Sequence, residues 1–356
     1  MIIHSRFKDY QVDIVDDFDF VDELVQTSYS QFVIDSNVYH LYKNLFEAIA
    51  PERLIVLDSS ESVKTIDTVL QICEKMTDIP AKRNTHLISI GGGIVQDITG
   101  FVASSLYRGI KWTFVPTTLL AGCDSCIGGK TSLNFLKYKN LLGSFYPPNR
   151  IVICPSFFKT LSQKDFESGL GEVVKFNIMA GPDGLDYIEG ELENLLSRDD
   201  LSLKKCIENS LQFKKTFIEI DEFDRGERIK LNFAHTFGHG IETVTDYEIP
   251  HGTAVAIGMI MANHISMNRK MISQEFYSKC ESVLKRIIHI DYDFNMMVFD
   301  EYINAVRKDK KQVNEQITAV LLSGDNRDLI IVNDVQVEEI GEAFKRIKEL
   351  FCKKYG

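Results

Sequence analysis

No run of this chain is long enough to cross a bilayer as a helix. The longest strongly apolar stretch, AVAIGMIMA at 254–262, falls far short of the roughly 20 residues required. The opening segment, MIIHSRFKDYQVDIVDDFDF, is acidic and lacks the basic start and apolar centre of a secretory signal. Cysteine is sparse and odd in number, seven in 356 residues, so no dense disulfide framework is expected and a reduced, cytoplasmic setting is the simplest reading. An excess of positive charge is also missing. The net charge of −11 argues against a nucleic-acid-binding face and leaves any anion to be gathered by a local cluster of Lys and Arg working against the global field. Internal repeats and low-complexity tracts are absent. What remains, 44% hydrophobic and 26% charged residues, suits a soluble globular chain of two domains, large enough for a deep site. Neither a nucleic acid nor a membrane is expected as a partner.

The first part of the chain alternates short β-branched runs with helical patterns. QFVID with its core at 32–35, RLIVL at 53–57, HLISI at 86–90, WTFVP at 112–116 and RIVIC at 150–154 read as strands. NVYHLYKNLFEAIA and VKTIDTVLQICEKM between them read as helices. That alternation implies right-handed crossovers and a mostly parallel sheet, whose ligands bind at the carboxyl ends of the strands. From about Leu161 long helical segments take over, as in LSLKKCIENSLQFKKTFIEI and VEEIGEAFKRIKELF. In the latter Ile340, Ala343, Phe344, Ile347 and Phe351 line one face. Only QITAVLL and DLIIV read as strands there, forming a small hairpin around SGDNR. The expected architecture is an α/β N-terminal nucleotide-binding domain with a mostly parallel sheet over 1–160, followed by a mostly α-helical C-terminal domain over 161–356.

Several motifs carry groups suited to chemistry. After HLISI comes GGGIVQDITGF, whose glycines at a strand end let backbone approach a pyrophosphate at a helix N-terminus. Its spacing is not G-x-G-x-x-G, so a tight strand–helix turn explains it equally well. CDSCIGGKTS resembles a redox pair and a phosphate loop without completing either: there is no second cysteine pair, and Asp124 stands where the loop needs its first glycine. A glycine-rich turn presenting Lys130, with Asp124 nearby, is what survives; Lys139 and Asn140 follow. In GLGEVVKFN, Glu172 and Lys175 lie three apart on an otherwise apolar helix, which points to a buried pair rather than a solvated one. Lys214, Arg228, Asn232, His235 and His239 then fall within 26 positions, with His251 shortly after. One carboxylate with two or three histidines suggests a catalytic zinc with an open position. Helical spacing sets His235 and His239 on one face, but spacing alone does not choose among the three rings.

Taken in order, GGGIVQDITGF, RGIKWTFVPTTLLAGCDSCIGGKTSLN, KNLLGSFYPP, GLGEVVK, LNFAHTFGHGIE and HGTAVAIGM resemble the 3-dehydroquinate synthase family and its sugar-phosphate cyclase relatives, across most of the chain. The resemblance implies a dehydroquinate synthase-like fold, with a nucleotide-binding α/β domain, a helical metal-binding domain and the active site between them. It implies Glu172, His235 and His251 as ligands of zinc, or of cobalt in its place, leaving His239 to act on the substrate. It places Arg108, Lys130, Asn140, Lys214, Arg228, Asn232, His239 and Lys311 (with Lys310 as the alternative) around an anionic sugar-acid phosphate, with Lys175 beside the metal. Asp35, Asn37, Glu61, Lys64, Gly91, Gly92, Asp97, Thr117, Thr118, Asp124 and Lys139 stand at the NAD positions. In the family the arginine equivalent to Arg108 can reach across a dimer, so a homodimer is expected.

The implied reaction is a lyase cycle of the shikimate pathway that converts 3-deoxy-arabino-heptulosonate 7-phosphate to 3-dehydroquinate and phosphate. An alcohol is oxidised by NAD, phosphate leaves by β-elimination, the ketone is reduced again, the ring opens, and an intramolecular aldol step closes the carbocycle. The chain departs from the family pattern at Tyr138 in place of a glycine, Ala234 in place of a glycine and Cys126 in place of a serine. None of these removes a group the cycle needs. Relatives using sedoheptulose 7-phosphate or glucose 6-phosphate lack the substrate carboxylate, and retention of Lys214, Arg228 and Asn232 favours the carboxylated substrate. A polyol dehydrogenase using metal and NAD would share the fold without needing that cation cluster, and a non-catalytic binding module would not need the full set of ligands.

Overall fold

The computed structural model describes residues 1–78, 82–136, 138–308, 316–324 and 328–352. The chain forms two compact units, Met1–Leu161 and Ser162–Gly356.

The first unit is built on a seven-stranded sheet. Its strands are β1 (Ile2–Ile3), β2 (Tyr10–Ile14), β3 (Ser30–Asp35), β4 (Leu54–Leu57), β5 (His86–Gly91), β6 (Lys111–Pro116) and, after a separate hairpin of β7 (Lys130–Phe135) and β8 (Tyr138–Phe145), β9 (Arg150–Ile153). The order across the sheet is β1-β2-β9-β6-β5-β3-β4, and every pairing is parallel except β1 with β2. Strands β3, β5 and β6 sit inside the sheet with nearly every residue buried, which is why they read as continuous apolar runs instead of alternating ones. Helices α1 (Phe20–Gln26), α2 (Ser36–Leu41), α3 (Ile66–Thr77) and α4 (Gly93–Ser105) form the crossovers. After β3 the chain moves outward to β4 and then returns past β3 to β5, so the carboxyl ends of β3 and β5 flank a topological switch point.

Three expectations for this unit need correction. The helix expected over 37–50 is only α2, followed by a 3-10 turn at Lys43–Phe46; Leu41, which helical periodicity would bury, is 62% exposed. The glycine-rich segment does not simply present Lys130 on a turn, because Lys130 opens β7 and Asn140 lies in β8. Strands β1 and β2 extend the sheet on the side of β9 and were not expected.

The second unit comprises α5 (Gln163–Met179), α6 (Pro182–Leu196), α7 (Asp200–Ile220), α8 (His235–Val244), α9 (His251–Asn268), α10 (Gln274–Ile287), α11 (Phe299–Arg307) and α12 (Val337–Phe351). An antiparallel hairpin of β10 (Ile317–Ser323) and β11 (Asp328–Val335) matches the expected one, although part of its SGDNR turn lies outside the described residues. Helix α9 is apolar on all sides and buried along almost its whole length, as expected of a central helix enclosed by others. Helices α5 and α8 reach it backbone to backbone. A Cβ at Gly252 would lie 1.7 Å from the Ser168 carbonyl oxygen, and one at Gly171 would lie 2.1 Å from the Gly252 carbonyl. On the other side, a Cβ at Gly258 would lie 2.6 Å from the Ala234 carbonyl, and one at Gly238 would lie 3.0 Å from Val255 Cα. Among the described residues no helix is long and apolar enough to cross a membrane.

These contacts generate a stability prediction. Gly252→Ala forces backbone against backbone, and overpacking of this kind costs about 1–3 kcal/mol, lowering the unfolding midpoint by roughly 2–10 °C. A Cβ at Gly190, within α6, would meet nothing within 4 Å, and Gly190→Ala should leave the midpoint unchanged or raise it. Thermal unfolding followed by circular dichroism checks both; equal midpoints for the two variants would contradict the close crossing.

Candidate metal centre and nucleotide site

The two glycine crossings bring together three side chains that are far apart in sequence. Glu172 follows Gly171 on α5, His251 precedes Gly252 at the start of α9, and His235 starts α8, next to the Ala234 carbonyl that meets Gly258. Glu172 is completely buried, and neither of its carboxylate oxygens accepts a hydrogen bond. Its Oε2 makes an ion pair with Lys175 Nζ, itself 2% exposed, so the pair is buried as the sequence suggested. Its Oε1 faces the rings, 3.7 Å from His235 Nε2 and 3.6 Å from His251 Nε2. One donor atom from each of the three residues can be chosen so that all lie within 4.8 Å of one another. Zinc with ligands at about 2.0–2.1 Å in a tetrahedron separates them by roughly 3.3 Å, close to the spacing found. A buried carboxylate with unsatisfied oxygens is costly, and a cation bound among these three atoms would offset that cost, so the donor set fits a divalent metal.

The far nitrogens of the two rings are also held. His235 Nδ1 lies 3.0 Å from the Phe233 carbonyl, and His251 Nδ1 lies 3.1 Å from Glu242 Oε2. Burial disfavours a charged His251 ring, but the adjacent Glu242 and the nearby Glu172 outweigh it and raise its pKa above the ordinary histidine value. His239, one turn beyond His235, lies near both rings and forms a second possible donor group with Glu242 and His251. Thr236, where zinc proteases carry a glutamate, donates its hydroxyl to the Thr318 carbonyl and so ties α8 to β10.

Two buried cations belong to the same unit. Lys214 lies on α7 and Arg228 in the 3-10 turn Glu227–Asn232, which packs against that helix; they are 6% and 4% exposed. The loop holding Arg228 is organised by Asp221, whose carboxylate accepts from the backbone N–H groups of Arg225, Gly226 and Arg228 at 2.6–3.1 Å. Slight burial raises the Asp221 pKa, but these three donors prevail and lower it. Asn232 ends the turn, half-buried. Lys310 and Lys311 lie outside the described residues.

In the first unit, Asp35, Gly91, Thr117 and their neighbours Asn37, Gly92 and Thr118 line up along the carboxyl ends of the adjacent strands β3, β5 and β6. Gly92 caps α4, and a Cβ there would lie 2.9 Å from Thr118 Cγ2. Asp35 has a local task as well: its carboxylate caps α2 by accepting from Asn37 N at 2.8 Å. A polar network joins four of the other expected residues. Lys64 Nζ lies 2.5 Å from Asp97 Oδ2 and donates to Asn140 Oδ1 at 2.6 Å, while Glu61 Oε1 accepts from Asn134 Nδ2 at 2.7 Å. Asn134 Oδ1 accepts from Asn140 N at 2.9 Å, and Ser132 Oγ lies 2.8 Å from both Asp97 Oδ2 and Asn140 Oδ1. Burial pushes the Asp97 pKa up, against the pull of Lys64 and Ser132. Arg108, Lys130 and Lys139 are exposed, and Asp124 sits half-buried in a π-helical turn at Ala121–Ser125. Sequence reading missed Ser132, Asn134 and Glu242; the capping-type polar residues S-x-N next to Lys130 and the glutamate ending GHGIE were the available signals.

A family model described as the 3-dehydroquinate synthase N-terminal domain matches residues 54–168, and one described as its C-terminal domain matches residues 169–312. A 3-dehydroquinate synthase of Thermoanaerobacter sp. (strain X514) is 34% identical over 340 residues, covering 93% of this chain and 95% of that protein. A bifunctional 3-dehydroquinate synthase/phosphatase of Fusobacterium nucleatum subsp. nucleatum is 32% identical over 333 residues; the match covers 91% of this chain but only 50% of that longer protein. The fold is also that of ValA, a 2-epi-5-epi-valiolone synthase from Streptomyces hygroscopicus subsp. jinggangensis 5008 solved with NAD+ and Zn2+ bound. The TM-score is 0.84 at 24% identity, covering 98% of this chain and 99% of that one. With both halves of the family model matched and a full-length relative at this identity, the chain belongs to the 3-dehydroquinate synthase family.

Proposed function

We propose that this protein is a 3-dehydroquinate synthase that forms 3-dehydroquinate and phosphate from 3-deoxy-arabino-heptulosonate 7-phosphate, using NAD+ and zinc, with cobalt able to replace zinc. The observation that carries the reading is the buried Glu172 carboxylate, with Oε1 turned to two imidazole nitrogens and Oε2 to Lys175. Glu172, His235 and His251 would hold the metal, and the residues at the ends of β3, β5 and β6, with the Lys64–Asp97 pair, would hold the nucleotide. When bound, NAD+ would accept a hydride from the substrate and return it later in the cycle, and the zinc would act as a Lewis acid toward the substrate's secondary alcohol.

The chain's own residues supply binding and orientation. Lys175 offsets the charge of Glu172 and keeps one of its oxygens directed away from the rings. Lys214 and Arg228 are suited to an anionic end of the substrate, since a buried cation gains most from a charge-assisted hydrogen bond. Asn232 and His239 add further hydrogen-bonding groups near them in sequence, and Lys130, Asn140 and Lys311 belong to the same reading as partners for the other anionic end. Fixing a substrate at both ends orders the reacting carbons before bonds change, which is where proximity lowers a barrier. Arg108, exposed and itself in a left-handed conformation, is the residue that a homodimer would share between protomers.

Two experiments test this reading. Purified protein given NAD+, Zn2+ and the heptulosonate phosphate should release phosphate with no net accumulation of NADH. Release from sedoheptulose 7-phosphate alone would point to a sister cyclase, and NADH building up from a simple polyol would point to a dehydrogenase. In the second, His235→Ala and His251→Ala should each lose bound zinc by elemental analysis, while His239→Ala keeps it and turns over more slowly. An empty metal site in His239→Ala would overturn the ligand assignment.

A further inference from the structure

His235 and His251 present equivalent nitrogens to one Glu172 oxygen, but their opposite nitrogens meet different groups. His235 is held by a backbone carbonyl, which is neutral and fixed by the chain. His251 is held by the Glu242 carboxylate at 3.1 Å, an anion on a neighbouring helix. Glu242 lies seven residues after His235 on α8, two helical turns along the same face, so the helix that carries one candidate ligand also carries the group that grips another. The position is a poor one for a carboxylate on local grounds. It falls in the last turn of α8, where the helix dipole disfavours negative charge, and its side chain is only 13% exposed. Helix stability therefore does not account for a glutamate there, whereas the His251 contact does.

We propose that Glu242 is a positioning residue for the metal centre: by accepting from His251 Nδ1–H it fixes the tautomer and tilt that aim Nε2 at the metal, and so sets metal affinity. The proposal rests on the reading of Glu172, His235 and His251 as metal ligands. Carboxylates behind ligating histidines orient the ring and raise its basicity, and their loss typically weakens metal binding by about 10–100-fold. His251 needs such a hold more than His235. It is the first residue of α9, preceded by a loop, and its side chain is 34% exposed against 11% for His235.

The test is zinc affinity, measured on the full chain by competition with a chromophoric chelator, together with the visible spectrum of the cobalt-substituted protein. Glu242→Ala should bind zinc about 10–100-fold more weakly and shift the cobalt spectrum. Glu242→Gln, whose amide oxygen can still accept from Nδ1–H, should lose less and keep a spectrum nearer the parent. Both should keep the parent's unfolding midpoint without metal, which separates positioning from a general loss of packing. Unchanged affinity and an unchanged cobalt spectrum in Glu242→Ala would overturn the proposal while leaving the metal centre intact. So would uptake of two zinc equivalents by the parent with only one lost in Glu242→Ala, because Glu242 would then be a ligand of a second ion with His239. Failure of the parent protein itself to bind zinc would overturn both the proposal and the metal reading beneath it.

Discussion

The chemistry of the helical unit depends on how closely α5 and α8 can approach α9. With side chains at the crossing points, helices stand about 8–10 Å apart. Here glycine meets carbonyl directly, at Gly171 and Gly252 on one side and at Gly238 and Gly258 on the other. Each contact sits within a few residues of a candidate ligand, so tightening the crossings moves Glu172, His235 and His251 toward a common point. Ala234 is part of the same arrangement. It adopts a left-handed conformation, φ 68°, so that its carbonyl can reach Gly258 while His235 starts α8. An alanine held there costs on the order of 1–2 kcal/mol, a local strain retained where the surrounding packing dictates it.

What the crossings assemble is electrostatically expensive. Glu172 has lost water on every side, and Lys175 attends to only one of its oxygens. In an apolar helical interior this arrangement favours whatever cation can sit against the other oxygen, and two imidazoles are already turned to share it. The charged groups of the other unit follow a different principle. Lys64, Asp97 and Asn140 are linked by short hydrogen bonds through Ser132 and lie among polar partners. Burial thus governs the charged groups of one unit, and a connected polar network governs those of the other.

Much of this was legible in the sequence, and what was missed has physical reasons. Strands β3, β5 and β6 are buried on both faces and announce themselves as unbroken apolar runs. The β7–β8 hairpin does not: β8 is largely exposed and its apolar residues do not alternate with polar ones, so YKNLLGSF carries no period that distinguishes a strand from a loop. Helix α2 ends early: Leu41 is exposed while Val38, Phe46 and Ile49 of the same segment are buried, so burial along it does not follow one continuous helical face. Burial of the Glu172–Lys175 pair could be read from its apolar neighbours on one helix, since that information is local. The role of Glu242 could not, because its partner His251 lies nine residues away across a loop and meets it only when α9 folds back along α8. For the same reason helical spacing paired His235 with His239, while the fold sets His235 and His251 against the same carboxylate oxygen.

A crystal of the zinc-loaded protein, with data collected on both sides of the zinc absorption edge, would locate the ion directly. One anomalous peak should lie about 2.0–2.2 Å from Glu172 Oε1, His235 Nε2 and His251 Nε2, with Glu242 remaining on His251 Nδ1. A peak bound instead by His239 and Glu242, with Glu172 still paired only to Lys175, would contradict this description of the centre.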